Sequence, residues 1–247
     1  MQSFTATRCA LAVLAVLVLS GSTALAQHHG SQPAHRDEHA PGSKADQRLG
    51  DPYPLDTCPV SDKRLGSMGD PAIKLYDGRE IRFCCPACFG KFEKDKAASL
   101  SKLDDRIVQD QGSLYPLKSS VVTGKDLPEK PYQFVYGNRL VRLGAESEKA
   151  DFLKEPKKSL EELDKAAIAQ QGKNYPLAKC PVSGDPYGGE MGKPLDIVIA
   201  GRLIRLCCDG CQKDLEKDPA KFIAVVDAAR KGDKSKPDHD HKEKHDK

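Results

Sequence analysis

The sequence predicts an α+β fold of three tandem small repeats, each with a cysteine knuckle or its remnant, a β-hairpin and one or two helices. Three observations predict it. The chain lines up with itself, because Tyr-Pro-Leu opens matching stretches at Tyr53, Tyr115 and Tyr175, 62 and 60 residues apart. In each stretch, apolar residues alternate about a two-residue turn. After the turn, the apolar period changes from two to that of a helix.

In chain order, residues 1–26 read as a secretory signal. Arg8 is the only charge, Ala10 to Leu19 form an apolar run too short to span a bilayer, and Ala24-Leu25-Ala26 fits a small-residue cleavage site. Cys9 lies ahead of the apolar core and leaves with the signal, so eight cysteines remain. An exported chain in a periplasm or outside the cell is the expectation. Residues 27–50 form a polar, His-rich tail expected to be disordered.

The first repeat covers 51–112. Ile73, Leu75, Ile81 and Phe83 alternate about Asp77-Gly78, a strong hairpin signal, and Phe89, Phe92, Leu100, Leu103 and Ile107 then follow a helical period. The second repeat, 113–172, turns at Gly137-Asn138 and continues with Leu160, Leu163 and Ile168. The third, 173–231, turns at Ala200-Gly201 and continues with Leu215, Phe222, Val225 and Val226. Gly112, Gly172 and Gly232 are expected helix stops. Residues 232–247 form a second polar tail rich in His, Asp and Lys.

Composition narrows the function classes. The chain is 38% hydrophobic and 30% charged with no Trp, so it builds modest cores rather than one large one. Without Arg8, the 38 basic and 36 acidic residues leave a charge of +2, too small and too mixed for a nucleic-acid footprint. No second apolar segment is long enough for a membrane anchor.

The eight cysteines fall in two sets of four: Cys58, Cys84, Cys85 and Cys88 in the first repeat, and Cys180, Cys207, Cys208 and Cys211 in the third. Cys58 and Cys180 sit in Cys-Pro-Val-Ser turns whose backbone N–H groups can point at a thiolate. The other three in each set straddle the hairpin end and the helix start, where free N–H groups favour thiolate. Positions 84 and 88, or 85 and 88, share a helical face, so two of them and the turn cysteine can converge on one ion. Metal ligation is the favoured reading, since adjacent Cys84-Cys85 and an i,i+3 pair are poor geometry for two unstrained disulfides. A disulfide-stapled interaction module is the alternative. A thiol-disulfide oxidoreductase built on Cys85-Pro-Ala-Cys88 is less favoured, because no βαβ pattern surrounds the motif. Four thiolates suit Zn(II), and three with an open position suit Cu(I) or another soft ion.

A knuckle, a hairpin and a helix beginning with cysteines resembles the treble-clef type of site, and more closely the TRASH and YHS family of small metal-binding domains. Phe83-Cys84 with Cys88 and Phe92, and Leu206-Cys207 with Cys211 and Leu215, match that family's aromatic-Cys-x3-Cys-x3-aromatic end; Cys58 and Cys180 match its upstream cysteine. The resemblance covers about residues 53 to 228 and implies binding or sensing of heavy metals, often beside metal transport systems. Two departures stand out. Ser61 and Ser183 hold the place where many members carry the upstream cysteine, and Cys85 and Cys208 stand where the family often has a small residue. Whether Cys84 or Cys85 is the ligand stays open.

The middle repeat lacks all four thiols, with Ser120, Gly144, Ala145 and Glu148 at the aligned positions. Its hairpin and helix signals persist, so the scaffold is expected to hold by packing on its neighbours. All seven histidines lie in the tails: His28, His29, His35 and His39 before the repeats, His239, His241 and His245 after them. They read either as solvated low-complexity tails or as a weak metal-collecting arm. Arg79 and Arg82, Arg139 and Arg142, and Arg202 and Arg205 recur in the three hairpins, and an exposed sheet face is their favoured reading. With no His in a repeat, the usual proton-transfer residue is missing and catalysis is not expected. The expected function is an exported heavy-metal-binding protein, acting as buffer, chaperone or accessory to efflux or sensing.

Overall fold

A computed structural model describes residues 48–188 and 193–232. The signal segment 1–26, nearly all of the first tail and the histidines of both tails lie outside the described residues. The described chain is mixed α and β, with three separate two-stranded antiparallel sheets. No helix among the described residues is long and apolar enough to cross a membrane.

The order hairpin, short helix, long helix occurs three times. Strands β1 (Ala72–Tyr76) and β2 (Arg79–Phe83) precede α1 (Cys88–Lys94) and α2 (Lys96–Gln111). Strands β3 (Tyr132–Tyr136) and β4 (Arg139–Leu143) precede α3 (Lys149–Phe152) and α4 (Pro156–Gly172). Strands β5 (Leu195–Ile199) and β6 (Arg202–Leu206) precede α5 (Gln212–Lys217) and α6 (Pro219–Arg230).

The turns fall where the sequence puts them. Asp77 and Gly78 both have positive φ, as do Ala200 and Gly201, the pattern a type I′ turn requires. At Gly137-Asn138 only the glycine does. The registers pair Ala72 with Phe83, Tyr132 with Leu143 and Leu195 with Leu206. A two-residue turn puts Ile73 opposite Arg82, so Ile73 and Ile81 lie on opposite faces; Ile81 and Phe83 are fully buried, whereas Ile73 is exposed.

The long helices start on local signals. Asp95 accepts a hydrogen bond from the Ala98 N–H and Asp218 one from the Lys221 N–H, while Pro156 and Pro219 occupy first helical positions. Their apolar stripes build three small cores. Phe83 and Phe92 meet edge to face over Leu103 and Ile107; Phe152 packs with Val141, Leu143 and Leu163; Leu215 packs with Phe222, Ile223 and Val226. Of the three glycine stops, only Gly232 adopts a left-handed φ. Gly112 instead leaves room for the next hairpin, since a Cβ there would meet the Arg142 guanidinium at 3.2 Å.

Polar side chains tie the three segments together. The Gln111 amide donates to the Asn138 carbonyl and accepts from the Leu140 N–H, and Gln171 treats Gly201 and Leu203 in the same way. Helices α2 and α4 thus each read the backbone of the following hairpin. The expectation of exposed arginines is overturned, because Arg82, Arg139 and Arg202 are buried. Arg79, Arg139 and Arg202 each bond an Asp on their own long helix, namely Asp104, Asp164 and Asp227. Arg139 also forks onto Asp51, Arg202 onto Asp110, and Arg82 donates to the Glu216 and Lys217 carbonyls at the end of α5. First, second and third segments therefore contact one another in a closed set. Burial without partners would be prohibitive for these guanidiniums, and the carboxylates and helix-end carbonyls supply them.

Candidate metal centres

Each cysteine-bearing segment begins with a short turn that holds its first thiol. Cys58 N–H donates to the Lys63 carbonyl at 2.9 Å and Asp62 N–H to the Cys58 carbonyl at 3.0 Å. Cys180 repeats this with Asp185 and Gly184. The residue that closes each turn has positive φ: Asp62, and Gly184 in the third segment. Closing the turn aims backbone N–H groups at sulfur. Those of Val60, Ser61 and Cys84 point at Cys58, and those of Val182, Ser183 and Cys207 at Cys180.

The second and third thiols come from the hairpin end and the helix start. Cys84 directly follows β2, and Cys88 is the first residue of α1. Cys207 follows β6, and Cys211 closes a 3-10 turn before α5. The sulfurs of Cys58, Cys84 and Cys88 all lie within 4.8 Å of one another, as do those of Cys180, Cys207 and Cys211, and all six residues are buried. Two edges are resolved: Cys84 to Cys88 and Cys207 to Cys211, both 3.7 Å. None of the eight cysteines is in a disulfide. With metal–sulfur bonds of about 2.3 Å, a tetrahedral site has sulfur–sulfur edges of about 3.8 Å. Three soft thiols at this spacing fit a thiophilic ion such as Zn(II) or Cu(I).

Cys85 and Cys208 stand beside these groups and are half-buried. The Cys208 backbone is extended, with φ −158° and ψ 173°, and its sulfur turns back to within 3.8 Å of that of Cys207. Ser61 and Ser183, which sequence reading noted only as departures from a family pattern, also reach the sulfurs. The Ser61 hydroxyl lies 3.2 Å from Cys84 Sγ and the Ser183 hydroxyl 3.3 Å from Cys207 Sγ. Their place in the Cys-Pro-Val-Ser turn was the available signal.

The thiols of each group differ in acidity. Burial works against the Cys58 thiolate, but the Ser61 hydroxyl and the surrounding backbone N–H groups outweigh it and lower its pKa from 9.0 to about 7. Cys180 is lowered for the same reasons. Burial and the neighbouring thiols push Cys88 up to about 12 and Cys211 up to about 12. Within each group the turn thiol thus ionises readily while the helix-start thiol is held back from ionising. A bound cation removes that restriction by neutralising several thiolates together.

The middle segment fills the same place without thiols. Ser120 donates to the Glu148 carboxylate, which also accepts the Gly144 N–H at 3.3 Å. The carboxylate occupies the space a side chain at Gly144 would need, since a Cβ there would meet Glu148 Oε1 at 2.7 Å. No known protein family, curated protein or solved structure matches this chain.

Proposed function

We propose that the protein binds soft or borderline heavy-metal ions, one at Cys58, Cys84 and Cys88 and one at Cys180, Cys207 and Cys211. The observation that carries this reading is the convergence of three buried thiols, in each of two segments, at spacings that match the edges of a thiolate-bound ion. The three hairpin-and-helix segments are then copies of one treble-clef-like unit of TRASH or YHS type. The middle copy is a spacer whose Ser120–Glu148 hydrogen bond stands in for the ion.

Zn(II) and Cu(I) are the ions of choice. Three thiolates with the Ser61 or Ser183 hydroxyl nearby suit a site with an open or weakly filled fourth position. The role is non-catalytic: an exported buffer, chaperone or accessory that serves a metal transport or efflux system. The histidines of the tails would collect ions weakly at neutral pH.

Thiol alkylation tests this reading. The protein as isolated should be protected, and a chelator should open the thiols to alkylation without reductant. A disulfide-stapled module would expose none until reduced, with or without chelator, and that outcome would remove the metal reading.

A further inference from the structure

Each group of three thiols has a fourth cysteine beside it that is not one of its corners. Cys85 and Cys208 are half-buried, whereas the six corner residues are buried. The Cys208 sulfur is nevertheless 3.8 Å from that of Cys207, which is within reach of an ion held there. Local backbone geometry does not require cysteine at this position. Ala145, at the aligned position of the middle segment, has the same extended backbone, with φ −151° and ψ 160°. Packing gives it only a marginal role, because Cys85 and Cys208 flank their cores as half-buried side chains rather than filling them. The cysteine is present in the two segments that hold three thiols and absent from the one that does not.

Building on the reading of the buried thiols as ion sites, we propose that Cys85 and Cys208 are handover thiols that carry the ion between the buried group and an external thiolate acceptor. A thiolate-bound ion leaves a site quickly only by exchanging ligands one at a time, since departure with its full charge from three sulfurs into water is far costlier. The exchange balances without oxidation. The Cys208 thiol gives its proton to solvent as its sulfur bonds the ion; one resident sulfur–metal bond breaks, and that thiolate takes up a proton. The ion then sits at the half-exposed edge, where an acceptor thiolate repeats the step and removes it. Cys85 does the same for the first segment.

The test uses the full chain loaded with Zn(II) and, in parallel and without oxygen, with Cu(I). Native mass spectrometry counts ions, and stopped-flow absorbance follows transfer to an excess of a chromogenic chelator. The variant Cys85→Ser with Cys208→Ser should keep two ions and release them at least ten times more slowly than wild type. Cys85→Ala with Cys208→Ala, which copies Ala145, should behave alike and controls for effects of the serine hydroxyl. Loss of either ion would make these cysteines resident ligands, and transfer at the wild-type rate would make them spare; each result overturns the proposal. A wild-type chain that holds no ion at all would instead strike the metal reading beneath it.

Discussion

Ser120 donates its hydroxyl to the Glu148 carboxylate at the two positions that carry Cys58 and Cys88 in the first segment and Cys180 and Cys211 in the third. One hydrogen bond thus joins the turn to the helix start where, in the flanking segments, two thiols face each other across the same gap. The third corner, Gly144, is the space that the Glu148 carboxylate fills.

This relationship predicts a gain of function. Ser120→Cys, Gly144→Cys and Glu148→Cys together should create a third three-thiol group, and native mass spectrometry of the zinc-loaded variant should count three ions. Glu148→Ala alone should destabilise the chain by about 1–3 kcal/mol by leaving the buried Ser120 hydroxyl and the Gly144 N–H without their acceptor. Denaturant titration of ion-free protein reads that loss.

Each flanking site should act alone. Cys88→Ser is expected to remove one ion and leave the other, and Cys211→Ser to do the converse. A ligand that binds only the folded state stabilises it by about 2.7 kcal/mol when present at a hundredfold excess over its dissociation constant. Chelation should therefore lower the unfolding midpoint of wild type more than that of either variant.

Ion binding should release protons in a pH-dependent number. Cys58 has a pKa of about 7 in the ion-free fold, so it is a thiol at pH 6 and a thiolate at pH 8, whereas Cys88 at about 12 stays protonated at both. The first site should then release about one proton fewer per ion at pH 8 than at pH 6. Calorimetry of the Cys211→Ser variant, in buffers of different ionisation enthalpy, measures this directly.

The salt-bridged junction makes a separate prediction. Asp51 accepts two hydrogen bonds from the buried Arg139 and one from the Ala200 N–H, so it links all three segments. Asp51→Ala should destabilise the fold by about 3 kcal/mol, because it leaves the buried Arg139 guanidinium with Asp164 as its one carboxylate and the Val198 carbonyl as its other acceptor. Ion stoichiometry in native buffer should stay at two, since no sulfur touches this junction.

The hairpins were legible because a two-residue turn between alternating strands is a local signal, and Asp77-Gly78 carries both strand pairing and register. The two cysteine clusters were legible as sets of four, of which three in each converge. Which member of Cys84-Cys85 becomes a buried corner was not, because it depends on how the chain leaves β2, which no local pattern marks. The buried arginines were misread for another reason. Arg139 finds Asp51 across 88 residues and Arg202 finds Asp110 across 92, and no local pattern marks such partners.

The central claim is that each buried group of three thiols holds one ion, and native mass spectrometry of the protein isolated from its own compartment tests it most directly. The account predicts two ions on the wild-type chain and none on the variant with both Cys88→Ser and Cys211→Ser. A wild-type chain free of metal and lighter by two hydrogens for each bridge would contradict it.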